Sequence, residues 1–477
     1  MIELSGNILD YIRSHFGEAY LKQYQNYYNS EYNPYIRFSI PPDSEKLLER
    51  LKKYNIILEP DPNIPRAYKV ISGREVVGKT MEFILGKYYI QSLSSMIPPL
   101  VLNPNEKDIV LDLCAAPGSK TTQLAELMNN KGTLVANEIS VERLKSLVFN
   151  VDKMSLVNVG ILHGKGELLS GQYPNYFDKI LVDAPCSALG ITQKKGEVSN
   201  WWDANKAKAM SDIQLRLLIS AVKMCKAGGE IVYSTCTLTL EENEFVINKI
   251  LKKYPVELVE IELPVNSTPG ITKFENEEFD ASLNKARRIL PWEVNSEGFF
   301  IAKLRKIDEM EYDKSGYDAG KFELLNFSSG KIKKYLEGLS AYYGIPFNEF
   351  ENYKYLVKSN DIHFVNSHWS AAHLENFNRI GTRLGTIDKR GFLQLNPLAA
   401  QIFGSLITKN IIELMDKPEL NTYFSGGTIK KLFDPLANGG GQRVIKFEDY
   451  FLGTAVASKE GLKSQFPRAF RTQEIIL

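Results

Sequence analysis

Cys186 and Cys236 are the residues from which chemistry can start. Cys186 closes Ile180-Leu-Val-Asp-Ala-Pro-Cys-Ser187, an apolar run rich in β-branched residues that ends at an acid, a proline and a thiol. Such a run reads as a buried parallel strand whose chain leaves at its carboxyl end, with Pro185 stopping further pairing. Cys236 stands in Tyr233-Ser-Thr-Cys-Thr-Leu-Thr-Leu-Glu-Glu-Asn-Glu244, just past a second strand at 230–234. Asp183 and both thiols therefore emerge on one edge of a sheet, where open α/β sheets bind ligands. Two cysteines on one edge, without metal spacing, point to covalent chemistry. A free thiol has a pKa of about 8.5 and needs local help to ionise. A lone cysteine is more often a small buried hydrophobe. Cys225, expected on a helix, and Cys114, which opens a turn, keep that reading. No Cys-x-x-Cys spacing occurs among the four, which argues against a zinc site or disulfide framework and for a reducing cytoplasm.

That turn is Asp112-Leu-Cys-Ala-Ala-Pro-Gly-Ser-Lys-Thr121, between a strand and a helix. It is not a P-loop: Ser119 and Cys114 stand where the two glycines should be. Gly118 lets backbone approach a ligand, helped by Ala115 and Ala116, and the following helix N-terminus favours a carboxylate. About 20 residues on, Glu138 ends the next strand, where an acid typically holds ribose hydroxyls. Nucleotide binding of some kind is expected; S-adenosylmethionine, a nucleoside bearing a carboxylate, is one fitting molecule.

The elements that must position these residues are legible as alternation. Strands are expected at 108–113, 133–138, 157–162, 177–183 and 230–234. Helices are expected at 120–128, 141–154, 204–226 and 241–254. This order implies a doubly wound parallel sheet, closed by strands at 256–263 and 298–303. Before it, residues 1–80 read as a small α+β domain, with a helix from Asn7 to Tyr28, a strand at 35–40, a helix capped by Asp43 or Ser44, and a strand at 68–71. This segment is either a scaffold for the next domain or an RNA dock. The catalytic unit is expected over 81–306. An extension follows over 320–477, with a β-rich module from about 380, where turns such as Gly426-Gly427 and Gly439-Gly-Gly441 recur.

Bulk composition excludes some classes. The 477 residues are 44% hydrophobic, enough for several cores, and no apolar run reaches membrane-span length. The start lacks a basic segment followed by an apolar one, so no secretory signal is expected. Net charge is only +1, so a nucleic-acid partner must be argued from local patches. One such patch interleaves Lys459, Lys463, Arg468 and Arg471 with Phe466 and Phe470, a mix suited to phosphate and stacking contacts.

Together, Asp112 to Thr121, Asp183-Ala-Pro-Cys-Ser187 and Ser234-Thr-Cys-Thr-Leu…Glu-Asn-Glu244 resemble, in order and spacing, the Nop/Sun family of RNA cytosine-5 methyltransferases. The resemblance covers residues 10 to 306, including Tyr89-Ile-Gln91 and Gly298-Phe-Phe300. More weakly, Arg379-Ile-Gly-Thr-Arg-Leu-Gly385 and residues 461–471 look like the PUA-like tail of the RsmF-type ribosomal RNA enzymes. The resemblance implies a Rossmann-like methyltransferase sheet with a small α+β N-terminal domain and a PUA-like C-terminal domain. It gives Cys236 the role of nucleophile toward C6 of cytosine, Cys186 that of assisting C5-proton removal and product release, and Asp183 that of holding the N3/N4 edge of the base. The resemblance also implies that Lys120 faces the base. S-adenosylmethionine is the implied cofactor, on Cys114, Ala115, Ala116, Pro117, Gly118, Ser119, Lys120, Glu138 and Asp183. No metal is implied.

Three departures stand out. Lys165-Gly166 replaces an acid and glycine at the adenine contact, and a lysine cannot accept a hydrogen bond. Ser187-Ala-Leu-Gly190 replaces Ser-Gly-x-Gly, and Pro291-Trp292 replaces Pro-His. The expected partner is RNA, small-subunit ribosomal RNA or a pre-ribosomal subunit, with no DNA or membrane, and the expected state a monomer. A tRNA substrate, or a non-catalytic assembly factor, are the alternatives; the intact cysteine pair argues against the latter.

Overall fold

The structure is a computed structural model describing residues 4–39, 44–310, 322–430, 441–471 and 475–476. Asp43 and Gly439–Gly440, named above as cap and turn, lie outside those residues. The chain opens with helix α1, Gly6–Tyr28, which kinks at Gly17 (φ 84°) where one unbroken helix is expected. Strands β1 (Tyr35–Phe38), β2 (Ile57–Pro60), β3 (Ala67–Ser72) and β4 (Tyr88–Ile90) form an antiparallel sheet in the order β2-β3-β1-β4. Thus β4, placed beyond residue 80, belongs to the N-terminal sheet.

The central sheet follows the expected alternation. Strands β5 (Ile109–Asp112), β6 (Thr133–Glu138), β7 (Val159–His163), β8 (Phe177–Asp183) and β9 (Cys225–Thr235) are parallel, in the order β9-β8-β5-β6-β7. Their interiors are almost wholly buried, because helices cover both faces. Both flanks are antiparallel, so the sheet is mixed rather than purely parallel. Phe299–Lys306 pairs with β9, and β10 (Val256–Val259) lies against Phe299–Lys306. Cys225 starts β9 instead of lying on a helix, since Ala204–Met224 ends one residue earlier. Burial pushes its thiol up to about 12, which suits a core residue.

At the far edge, Phe377–Ile380 pairs antiparallel with β7. The neighbouring chain is stapled there. Asn366 Nδ2 donates to Gly132 O at 2.9 Å, the Ser370 amide to Thr133 Oγ1 at 2.8 Å, and Arg379 grips Asp152 with two guanidinium nitrogens. Gly381 (φ 57°) then turns the chain into a second, five-stranded antiparallel sheet; a Cβ there would sit 2.1 Å from Phe364 O. That sheet runs from Leu325–Asn326 to Leu393–Leu395 and a further one from Ile411–Glu413 to Gly461–Ser464. A β-rich module starting near 380 would cut the first of these in two, because pairing already begins at Leu325.

A buried cation, Arg37, ties the N-terminal sheet to a helix of the central sheet. Arg37 on β1 pairs with Glu126 of the helix Ser119–Leu127 and donates to Gln91 Oε1 and Thr122 Oγ1, both at 3.0 Å. Burial, then Arg66, pulls the guanidinium down to about 9. Arg37→Met is expected to cost about 3–5 kcal/mol in urea denaturation, because it strands Glu126 as an unpaired buried acid. A loss below about 1 kcal/mol would mean that the pair is not a strut.

Candidate active site

The paired ends of β8 and β9 set the geometry. Asp183 lies in register with Ser234, and Ser234 Oγ donates to Asp183 Oδ1 at 2.7 Å. Three residues beyond Asp183 and two beyond Ser234, the cysteines meet, Cys186 Sγ 3.2 Å from Cys236 Sγ. The hydrogen bond with Cys236, then burial, pushes the Cys186 thiol well above its ordinary range. Either sulfur of the pair can be the donor. The structure brings together all four residues singled out for catalysis: Lys120 Nζ donates to Asp183 Oδ2 at 2.7 Å. It also donates to Ser95 Oγ at 3.1 Å and lies 5.1 Å from the Phe299 ring centre. Burial works against the Lys120 charge, but Asp183, with Cys236 and Glu297, more than offsets it, and its pKa is raised.

The thiol loops are held from behind by the acidic end of the second motif. Glu242 accepts from the Ser187 amide at 2.8 Å, from Ser187 Oγ, from Thr239 Oγ1 at 2.8 Å and from Gln214 Nε2 at 2.9 Å. Asn243 accepts from Thr235 Oγ1 at 2.6 Å and donates to Thr237 O at 3.1 Å, bracketing Cys236. Glu244 pairs with Arg288 at 2.6 and 2.8 Å. Sequence reasoning quoted these acids without a role; three polar residues just past a buried strand were the available signal. It missed Ser95, which carries no chemical signature, and quoted Phe299 within Gly298-Phe-Phe300 without giving it a role.

Glycines let the loops cross. The Gly190 amide donates to Cys236 O at 3.0 Å, and that of Gly298 to Gly190 O at 2.8 Å. A Cβ on Gly190 would lie 2.5 Å from Gly298 O. Ala188 sits at φ 62°, the left-handed region in which the departure from Ser-Gly-x-Gly puts a side chain. Helix α1 braces this loop: Tyr24 OH donates to Leu189 O at 2.9 Å, and Tyr11, Tyr24 and Trp202 share one apolar cluster. Trp292, the other departure, packs edge-on against Tyr20 of α1.

The turn after β5 is equally fixed. The Ala115 amide donates to Asn137 O at 2.8 Å, the Ala116 amide to Glu138 Oε2 at 3.3 Å, and Arg143 Nη2 to Ala116 O at 2.5 Å. Glu138 Oε1 accepts from the Ser140 amide at 2.9 Å. The Ala116–Pro117 bond is cis, and Gly118 (φ 110°) caps the helix. Burial holds the Cys114 thiol well above its usual range, so it remains a neutral wall residue. Burial also raises Asp112 to about 7, against hydrogen bonds from Thr121 and the Cys114 amide, and among the described residues Asn137 Oδ1 accepts no hydrogen bond. That orphaned acceptor on β6, with the helix N-terminus after Gly118, suits a ligand with a carboxylate and with N–H or O–H donors, as an aminoacyl nucleoside has. Ile139, 53% exposed, adds an apolar face beside Glu138. Lys165 is exposed past β7, while Gly166 is wedged against Leu217 and Leu113. Among the described residues no His, Cys, Asp and Glu cluster could hold a metal ion, and no helix is long and apolar enough to cross a membrane.

The expected stacking patch is corrected. Phe466 and Phe470 are buried with Tyr423 and Phe424, and Phe470 lies 4.6 Å from Phe149. They are core, leaving only the exposed Lys459, Lys463, Arg468 and Arg471 of that patch.

The family described as 16S rRNA methyltransferase RsmB/F matches residues 99–305. Ribosomal RNA small subunit methyltransferase F of Shewanella piezotolerans is 31% identical over 455 residues, spanning 94% of this chain and 93% of its own length. The tRNA (cytosine(49)-C(5))-methyltransferase of Pyrococcus abyssi is 36% identical over 278 residues, spanning 57% of this chain and 88% of its own. Among solved structures, a methyltransferase homolog from Pyrococcus horikoshii is 31% identical with a TM-score of 0.56, covering 64% of this chain and all of its own.

Proposed function

The chain belongs to the 16S rRNA methyltransferase RsmB/F family, as a member of the RsmF type, and from that premise we propose that it methylates C5 of a cytosine in small-subunit ribosomal RNA. The observation that carries the mechanism is the thiol pair, 3.2 Å apart beside the Asp183–Lys120 ion pair. S-adenosylmethionine, when bound, supplies an electrophilic methyl group. Residues Cys114 to Lys120, with Glu138 and Asp183, would hold it, Glu138 through the lone pairs its two amide partners leave free.

Cys236 adds to C6 of the cytosine, which makes C5 enamine-like and nucleophilic. Asp183 holds the N3/N4 edge and offsets charge that develops there, and Lys120 keeps that carboxylate in place. After methyl transfer Cys186, once its own proton has passed to solvent, accepts the C5 proton; the C5–H electron pair restores the C5–C6 double bond, and Cys236 leaves C6 as a thiolate. The base must leave its stack to reach the thiols, so a single-stranded or loosened site is the substrate form. Two reduced thiols at this distance suit a cytoplasmic location.

Ribosomal RNA is favoured over tRNA because the likeness to the small-subunit enzyme runs through the C-terminal sheets, whereas that to the tRNA enzyme covers 57% of the chain. Bisulfite sequencing of RNA from a strain lacking the gene tests this. One small-subunit cytosine is expected to lose its protection. Loss confined to tRNA would overturn the substrate assignment.

A further inference from the structure

On the flank of the catalytic domain lies an open pocket of about 580 Å³ that the mechanism does not use. Four parts of the chain wall it: Phe83, Tyr89 and Ile90 from the N-terminal region, Pro117 from the turn after β5, the Lys145–Lys153 face of the helix Val141–Lys153, and Ala469 from the C-terminal tail. Its centre of charge is Lys153. That residue is 4% exposed, yet its ammonium makes no ion pair or hydrogen bond among the described residues. It sits instead among aromatic rings, 3.8 Å from the centre of Phe83, 5.1 Å from Tyr89 and 5.8 Å from Phe149. Burial alone lowers it to about 8. Cation–π contacts offset part of the desolvation cost, but a buried ammonium without an anion is an incomplete arrangement.

The surroundings specify the missing partner. No aspartate or glutamate lines the pocket, whereas Lys145 on its rim and Arg468 beside Ala469 are exposed. The exposed Pro117 and Ile90, with half-buried Phe149, give an apolar wall. Pro117 also belongs to the turn that would hold the cofactor, and Asn150 Nδ2 fastens it by donating to Pro117 O at 2.9 Å. A ligand with a diffuse anion and a flat apolar part, lying one loop away from the reacting base, fits all of this.

We propose that this pocket grips the RNA strand flanking the target cytosine, with a backbone phosphate on Lys153 and the adjoining base against Phe149, Ile90 and Pro117. The inference rests on the RNA methyltransferase reading above and extends it to residues outside the reacting centre. It gives Tyr89-Ile-Gln91 a purpose: Tyr89 helps cage the phosphate-binding lysine, while Gln91 donates to Ser95 O and so buttresses the Lys120 partner.

The test uses the full-length protein and an unstructured, fluorescein-labelled 12-nucleotide RNA with a central cytosine. Anisotropy is read across a salt series. Lys153→Met keeps the aliphatic packing and is expected to flatten the log–log salt dependence by about 0.7, the loss of one single-strand phosphate contact. Affinity at low salt should fall about fivefold to tenfold, with S-adenosylmethionine binding unchanged by calorimetry. Lys153→Arg should restore the slope. An unchanged slope in Lys153→Met would overturn the proposal. If that variant misfolds, photocrosslinking of wild type to 4-thiouridine RNA decides: crosslinks to residues 83–90 or 145–153 support the pocket, and their absence there overturns it. Wild-type transfer of a labelled methyl group to the RNA separates the two levels. With transfer intact and the slope unchanged, only the pocket falls; with no 5-methylcytosine formed on any RNA, the enzymatic reading falls and the pocket with it.

Discussion

Cys236→Ala is expected to abolish both methyl transfer and covalent capture of RNA, whereas Cys186→Ala should capture RNA and fail to let it go. The two thiols lie 3.2 Å apart and look interchangeable by distance. Their settings differ. The hydrogen bond with Cys236, then burial, pushes the Cys186 thiol up, and its loop is clamped by Glu242 through Ser187. A thiol with a raised pKa is the less readily ionised attacking group and, once its proton is lost, the stronger base toward C5. Removing Cys236 deletes the bond-forming atom, and residual activity should fall by about four orders of magnitude or more, to background. Removing Cys186 leaves attack and methyl transfer possible but slows elimination, so an RNA adduct should accumulate and survive denaturing electrophoresis. The opposite pattern, with RNA trapped by Cys236→Ala, would reverse the assignment. Loss of every adduct in both variants would make the two thiols a joint requirement for attack.

Asp183→Asn should lower kcat by about a hundredfold to a thousandfold, the scale seen when a group that stabilises developing charge is removed. Here the substitution strikes twice. Asparagine can still hydrogen-bond Ser234, but it leaves the Lys120 ammonium buried without its anion. The sign of the stability effect follows from Lys120. Its pKa is raised in the folded state, so the pair contributes stability that is present in full below the unfolded value. That contribution is lost as pH rises through the folded value. At neutral pH the whole contribution is therefore at stake, and urea denaturation should show a loss of about 3 kcal/mol. The difference between wild type and variant should narrow in strongly alkaline buffer, where Lys120 discharges. A gap that stays constant with pH would mean that the ion pair is not its source.

Much of this site could be read from the chain because it depends on local rules. β-branched runs ending in polar residues located β8 and β9 to within a residue or two at the site end, and parallel neighbours place their carboxyl ends side by side. That juxtaposes Asp183, Cys186, Ser234 and Cys236 with no long-range information beyond strand order. Lys120 follows because the helix after Gly118 starts at the same edge. What escaped reading depends on partners distant in sequence. Phe466 and Phe470 alternate with cations like a stacking surface, but they pack into a core with Tyr423 and Phe424, and Phe470 meets Phe149 from the preceding domain. Cys225 falls at a boundary where helix and strand signals overlap: the helix expected to 226 ends at Met224, and the strand expected from 230 starts at Cys225. Glu242 reads as one acid among several until the Ser187 loop folds over it. Lys153 reads as an ordinary helix-end cation, and only the fold surrounds it with aromatic rings.

The strand Phe377–Ile380 has a bearing on how the protein is made. It closes the open flank of β7, yet it is synthesised long after β7 leaves the ribosome. At about 5–20 residues per second, the catalytic sheet waits about ten seconds or longer with an unpaired, apolar edge. Such edges invite pairing with other chains. The nascent enzyme is thus most prone to aggregate in the interval between completing its active site and completing its sheet, a window that a chaperone acting during translation would be positioned to cover.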